Sequence, residues 1–215
     1  MNPLLEPSAN TENDLIAGTL DKSCQGKLTA HFELYKRVNH LEGSIVNCGI
    51  ASQDFFISFA FLRSMMTPKK LIAFEKNSKN LYYDCTLLPF GSLIYKSSIL
   101  EINTSLIKLN LWQKGISVEN KFVSGYIAEA IPEYLIENPE LKISFLTINM
   151  DDYESALTSL QFFYPRLVYG GIMVLDNFYK KEEDYSAVCD YFSHKNFQMK
   201  SFFERKGPHF IIKQC

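Results

Sequence analysis

Short apolar runs alternate along this chain with longer segments that carry apolar residues at helical spacing. Ser44–Cys48, Lys70–Glu75, Lys121–Tyr126, Ile143–Ile148 and Ile172–Leu175 read as buried strands. Leu28–Leu41, Phe55–Met66, Ser97–Gln113, Ile127–Asn138 and Glu182–His194 read as helices. Another helix follows Ile143–Ile148, with Ala156, Leu157, Leu160 and Phe163 on its apolar face. Asp151, Asp152 and Glu154 put negative charge at its start, where the helix dipole favours it. Pro165 stops that helix, and Gly170-Gly171 allow a tight entry into the next strand. Gln198–Glu204 and Pro208–Lys213 flank the short turn Arg205-Lys206-Gly207, as in an antiparallel hairpin. Met1 to about Asp14 reads as a loose polar arm. Asn77–Tyr95, aromatic and interrupted by Pro89 and Gly91, reads as a loop packed over a ligand.

Repeated β-α units imply one α/β domain, residues 1–215, with a mostly parallel sheet covered by helices. Two strands end at polar, acidic residues. Ile143–Ile148 runs into Asn149, Asp151 and Asp152, and Ile172–Leu175 into Asp176 and Asn177. In open α/β sheets, ligands bind at this carboxyl edge.

Composition narrows the function classes. Apolar residues make up 47% of the 215, which excludes a disordered chain and suits a single core. A formal net charge of −2 gives no reason to expect a nucleic-acid partner. The pairs Lys69-Lys70 and Lys180-Lys181 read as solvated surface. Cys24, Cys48, Cys85, Cys189 and Cys215 follow no paired spacing and read as free thiols in a reducing compartment. His31, His40, His194 and His209 do not cluster with them, which argues against zinc. The N-terminus lacks a secretory pattern. The longest largely apolar run, Phe55–Leu62, is too short to span a bilayer. The expected setting is cytoplasmic, with no membrane partner and with a homo-oligomer left open.

Three segments together resemble a known family. They are Gly125-Tyr126-Ile127-Ala128-Glu129-Ala130-Ile131-Pro132; Thr147-Ile148-Asn149-Met150-Asp151-Asp152-Tyr153-Glu154-Ser155; and Tyr164-Pro165-Arg166-Leu167 followed by Gly170-Gly171-Ile172 and Asp176-Asn177-Phe178. In this register the chain resembles the macrocin O-methyltransferase (TylF/MycF) family of S-adenosylmethionine-dependent enzymes. The resemblance spans roughly Gly43 to Phe192 and is densest after Gly125. It implies a Rossmann-like class I methyltransferase fold, a mostly parallel seven-stranded sheet with a C-terminal antiparallel hairpin.

The resemblance also implies a site. Gly43-Ser44-Ile45-Val46-Asn47-Cys48-Gly49-Ile50 matches the family's first cofactor turn, with Asn47 in place of an acid and Gly49 retained. Glu75 matches the acid that accepts hydrogen bonds from the ribose hydroxyls, although a surface pair with Lys76 is the plainer reading. Gly125 and Tyr126 fall where the adenine is held. Asn149 falls at the cofactor and at the metal. Mg2+, the candidate second cofactor, would be held at Asn149, Asp176 and Asn177. Asn149 and Asn177 are amides where the family has carboxylates, and Thr147 replaces a histidine. Asp151 matches the general base that takes a proton from the attacking hydroxyl, though a role in charging the helix start also fits it. Asp152 reads as a helix cap, and Tyr153 and Arg166 as packing residues.

The function expected is methyl transfer to a hydroxyl of a sugar, glycoside or other small natural-product-like acceptor. Asn77–Tyr95 and Asn177–Ser186 would line the acceptor pocket. The alternative is a non-catalytic descendant with an eroded metal site that keeps at most cofactor or ligand binding. A nicotinamide oxidoreductase is disfavoured, because Gly49-Ile50-Ala51-Ser52-Gln53-Asp54 lacks the three-glycine fingerprint.

Overall fold

The computed structural model describes residues 22–50, 53–66, 69–76, 104–113, 115–116, 120–176, 182–194, 197–202 and 207–214. The expected N-terminal arm, the Asn77–Tyr95 loop and Asn177 lie outside the described residues. Helices are α1 (Lys22–Val38), α2 (Gln53–Ser64), α3 (Thr104–Gln113), α4 (Ile127–Glu137), α5 (Tyr153–Phe163) and α6 (Glu182–Phe192). Strands are β1 (Ser44–Cys48), β2 (Leu71–Lys76), β3 (Asn120–Gly125), β4 (Ile143–Ile148), β5 (Leu167–Leu175), β6 (Met199–Ser201) and β7 (His209–Ile212).

The strands form one sheet in the order β3-β2-β1-β4-β5-β7-β6. Strands β1 to β5 are parallel, and β7 runs antiparallel to both β5 and β6. This is the mostly parallel seven-stranded sheet with a terminal antiparallel hairpin that the sequence implied. All six residues of β4 are buried, which requires helices on both faces of the sheet. Val46, Cys48, Phe74 and Leu146 pack against α4, α5 and α6. Ile45, Ala73, Phe145 and Val174 pack against α1, α2 and α3 on the other face. Alternating strand residues therefore feed two cores.

Two local expectations are corrected. Gly170-Gly171 do not precede the fifth strand but lie inside it. The β4–β5 register passes from Ile143↔Leu167 to Phe145↔Ile172, so β5 carries extra residues there. Gly170 has φ 74°, and a Cβ on Gly171 would lie 2.8 Å from the carbonyl oxygen of Val168. A bulge of this kind needs residues without side chains. The end of β7 secures it: Gly170 N–H donates to Lys213 O at 3.0 Å, and Lys213 N–H donates to Gly171 O at 2.9 Å.

Lys69 is not solvated surface but buried. Its ammonium donates to Val38 O at 3.1 Å, to Ser144 Oγ at 2.9 Å and to Leu41 O. The last carbonyls of a helix have no partner within it, and here a lysine two residues before β2 supplies one. Arg63 Nη1 in turn donates to Lys69 O at 2.9 Å. One side chain thus ties α1 and β4 together at the edge of the sheet opposite the candidate site.

Candidate active site

Strand order reverses between β1 and β4, since β2 and β3 lie beyond one and β5 beyond the other. At such a switch point the connections leave in opposite directions and open a crevice beyond the carboxyl ends. Gly49 and Asn149 follow the two central strands and meet at its floor. Gly49 N–H donates to Phe74 O at 2.9 Å, and Asn149 N–H donates to Cys48 O at 2.8 Å. Gly49 has φ 82°, and a Cβ there would lie 2.0 Å from the Asn149 carbonyl oxygen. The glycine is therefore demanded by the chain's own backbone, independently of any cofactor.

Glu75, near the end of β2, accepts a 2.8 Å hydrogen bond on Oε2 from the Ile50 backbone N–H. That bond ties it to the turn after β1. Burial raises its pKa above the usual carboxylate value; the Ile50 hydrogen bond pulls it down, and the negative charge of Asp151 adds to the rise. Glu75 and Asp151 thus sense one another at the crevice. Asp151 itself is exposed.

Asn47 and Thr147 are register partners on β1 and β4 and both are buried. Asn47 Oδ1 and Thr147 Oγ1 have no hydrogen-bond partner among the described residues. Buried polar atoms are ordinarily satisfied, so two adjacent orphans mark a polar lining suited to a ligand. Together with the Gly49 turn and the Glu75 carboxyl, this donor and acceptor set fits the expected S-adenosylmethionine.

Gly125 ends β3, and Tyr126 stands at the N-cap of α4 without capping it through its side chain. Its hydroxyl instead donates to Glu154 Oε2 in the first turn of α5, joining the ends of β3 and β4 along the rim. That bond raises the Tyr126 pKa. Asp152 is the α5 cap: Oδ1 accepts from Ser155 N–H at 2.8 Å and Oδ2 from Ser155 Oγ at 2.9 Å. Tyr153 donates to Asp190 Oδ2 at 2.7 Å, and Arg166 Nη1 to Phe162 O at 3.0 Å. Both are structural ties.

Asp176, the residue after β5, lies 2.5 Å through Oδ1 from Nε2 of His31 on α1. Both side chains are buried, at 2% and 5% exposure. Edge contacts to Phe55, Phe59 and Phe145 hold the imidazole, with centroids 5.0, 6.0 and 6.2 Å away. The sequence did not single out His31 as a site residue. Its signal was a histidine in the same helical stripe as Tyr35 and Val38, which are buried.

Of the donors expected for Mg2+, the described residues supply one carboxylate, Asp176, and one amide, Asn149. Asp176 is engaged by His31, Asn149 carries no charge and Asn177 lies outside the described residues. Among the described residues, no three His, Cys, Asp or Glu side chains are grouped to hold a metal. Mg2+ loses its water reluctantly and is usually held by one or two carboxylates together with several waters.

A family model described as macrocin-O-methyltransferase (TylF) matches residues 93–201, just over half of the chain. No curated protein sequence matches significantly. Among solved structures, the calicheamicin methyltransferase CalS11 superposes with a TM-score of 0.74 at 19% identity, covering 96% of this chain and 87% of its own. The O-methyltransferase NovP follows at 0.65 and 15%, covering 88% and 80%. An O-methyltransferase from Bacillus cereus in complex with SAH gives 0.56 and 12%, covering 94% and 86%. At these identities the likeness is one of fold.

Proposed function

The chain belongs to the macrocin-O-methyltransferase (TylF) family of S-adenosylmethionine-dependent O-methyltransferases, and on that premise we propose that it methylates a hydroxyl of a sugar, glycoside or similar small natural product. S-adenosylmethionine, when bound, supplies a methyl group already activated on a sulfonium. The chain's own task is to bind, align and accept a proton. Asn47, the Gly49 turn and Asn149 face the amino-acid end of the cofactor. Glu75 accepts from the ribose hydroxyls, and Gly125 with Tyr126 borders the adenine. Asp151, exposed at the crevice, takes the proton of the acceptor hydroxyl as that oxygen attacks. Holding the reacting atoms in line supplies much of the rate. No step is assigned to Mg2+.

The observation that carries this residue-level reading is Glu75, anchored by Ile50 N–H at the end of β2 and electrostatically coupled to Asp151. Two acidic groups with separate tasks, one to bind and one to accept a proton, are what the reaction needs. The free thiols of Cys48 and Cys189 support a reducing, cytoplasmic setting. Among the described residues, no helix is long and apolar enough to cross a membrane.

Calorimetry with S-adenosylmethionine and S-adenosylhomocysteine tests the reading. Both should bind the wild type, and Glu75→Ala should weaken both. Absence of binding by either would favour the non-catalytic alternative.

A further inference from the structure

We propose that Glu154 reads the base of the cofactor: its carboxylate accepts a hydrogen bond from the exocyclic 6-amino group of adenine, and Tyr126 is the positioning residue that holds the carboxylate for that task. The inference rests on the S-adenosylmethionine site proposed above and deepens it.

Helices α4 and α5 both start at the carboxyl edge of the sheet and pack on the same face, where Ile127, Ile131, Ala156 and Leu160 share one core. Tyr126 precedes the first of them and Glu154 lies in the first turn of the second. The phenol donates to Glu154 Oε2 across the gap between the two helix starts. Both side chains are exposed. The other oxygen, Oε1, has no hydrogen-bond partner among the described residues. A carboxylate fixed through one oxygen and open at the other, beside the residues that border the adenine, is an oriented acceptor. Adenine presents an N–H donor at its 6-position, and an ionised carboxylate can only accept. Such charge-assisted bonds are the stronger kind. The neighbouring acids are placed differently. Asp152 accepts from Ser155 through both oxygens. Glu129, in the first turn of α4, acts on Tyr126 through its charge. Because the phenol spends its proton on Glu154, its contribution is to aim the carboxylate. A base with a carbonyl at the 6-position would set acceptor against acceptor, and a site built to pair one polar group rejects an analogue that lacks it.

Calorimetry of the full chain with S-adenosylhomocysteine and with S-inosylhomocysteine, which carries a 6-oxo group in place of the amine, tests this. The wild type should prefer the adenine compound by about 10- to 100-fold. Glu154→Gln should bring the two affinities within about threefold, because a carboxamide offers a donor to the carbonyl as well as an acceptor to the amine. Tyr126→Phe should lower the preference partway. Glu129→Gln should keep the wild-type ratio, and Glu75→Ala should weaken both ligands together. A wild type that does not discriminate would overturn the proposal. So would a Glu154→Gln variant that keeps the full ratio, whatever its absolute affinities, since a merely structural role lowers both alike. An unchanged ratio in Tyr126→Phe would remove the positioning role. If neither compound binds the wild type, the methyltransferase reading itself fails and this inference with it; binding with a ratio that Glu154→Gln leaves intact refutes the inference alone.

Discussion

Gly49 and Asn149 press together so closely that a single methyl group on the first would fall 2.0 Å from the carbonyl oxygen of the second. The contact joins the ends of β1 and β4, at the point where the crevice opens. Gly49→Ala combines this backbone clash with a positive φ of 82° and should cost roughly 3 kcal/mol or more in urea unfolding. Gly115 is the matched control, with φ 67° and open space around its missing Cβ. Gly115→Ala should cost only about 1 kcal/mol, the backbone share alone. Equal losses at the two positions would mean that the Gly49–Asn149 contact is not tight in solution.

Glu75→Ala should weaken S-adenosylhomocysteine binding by about 10- to 100-fold, as expected for losing hydrogen bonds to a charged acceptor. The check is calorimetry at neutral pH, and an unchanged affinity would remove Glu75 from the ribose.

The same residue predicts a pH dependence of stability. Burial, which outweighs the opposing Ile50 hydrogen bond and is reinforced by the smaller effect of the Asp151 charge, raises the Glu75 pKa in the folded chain. Between the unfolded value and that raised value, the folded state binds more of the proton than the unfolded state does. Stability from this group therefore falls as pH rises through the window. The stability difference between wild type and Glu75→Gln should decline with pH across it. A difference that stays flat would show that Glu75 ionises normally.

Asp151 and Asp152 are adjacent and should behave oppositely. Asp152→Ala removes the α5 cap and should lower stability by about 1 kcal/mol, with cofactor affinity unchanged. Asp151→Asn should leave the melting curve in place and reduce transfer of labelled methyl to an accepted sugar hydroxyl by about 10²- to 10⁴-fold. Full transfer by Asp151→Asn would mean that another group takes the proton.

Lys69→Met should destabilise by roughly 2–4 kcal/mol, since the carbonyls at the end of α1 and the Ser144 hydroxyl lose a buried donor. Lys200→Met, at an exposed position, should change stability by no more than about 0.5 kcal/mol. Chemical denaturation of the two variants side by side distinguishes a buried tie from a surface charge.

Those residues also mark how far the sequence could be read. The strands and the helix after Asp152 were legible because their signals are local: an apolar run, a cap, a proline stop. Asp152 and Ser155 are three positions apart, so the cap is written within one turn. Lys69 was misread as surface because its acceptors, Val38, Leu41 and Ser144, belong to other elements. Gly170-Gly171 announced irregular backbone, but only the pairing with β4 and β7 could say that the irregularity lies within a strand. In the site, the motif register located Gly49, Glu75 and Asp151. It had no access to His31, whose reason for being polar is a residue at the far end of the chain.

His31 and Asp176 are 145 residues apart. During synthesis the histidine emerges early and stays without its acceptor until β5 has been made and docked against β4. Loops that long close late, after local elements have formed. The crevice is therefore finished only when most of the sheet exists, and a chain interrupted before β5 would contain every residue of the Gly49 turn and of Glu75 without being able to complete the site they belong to.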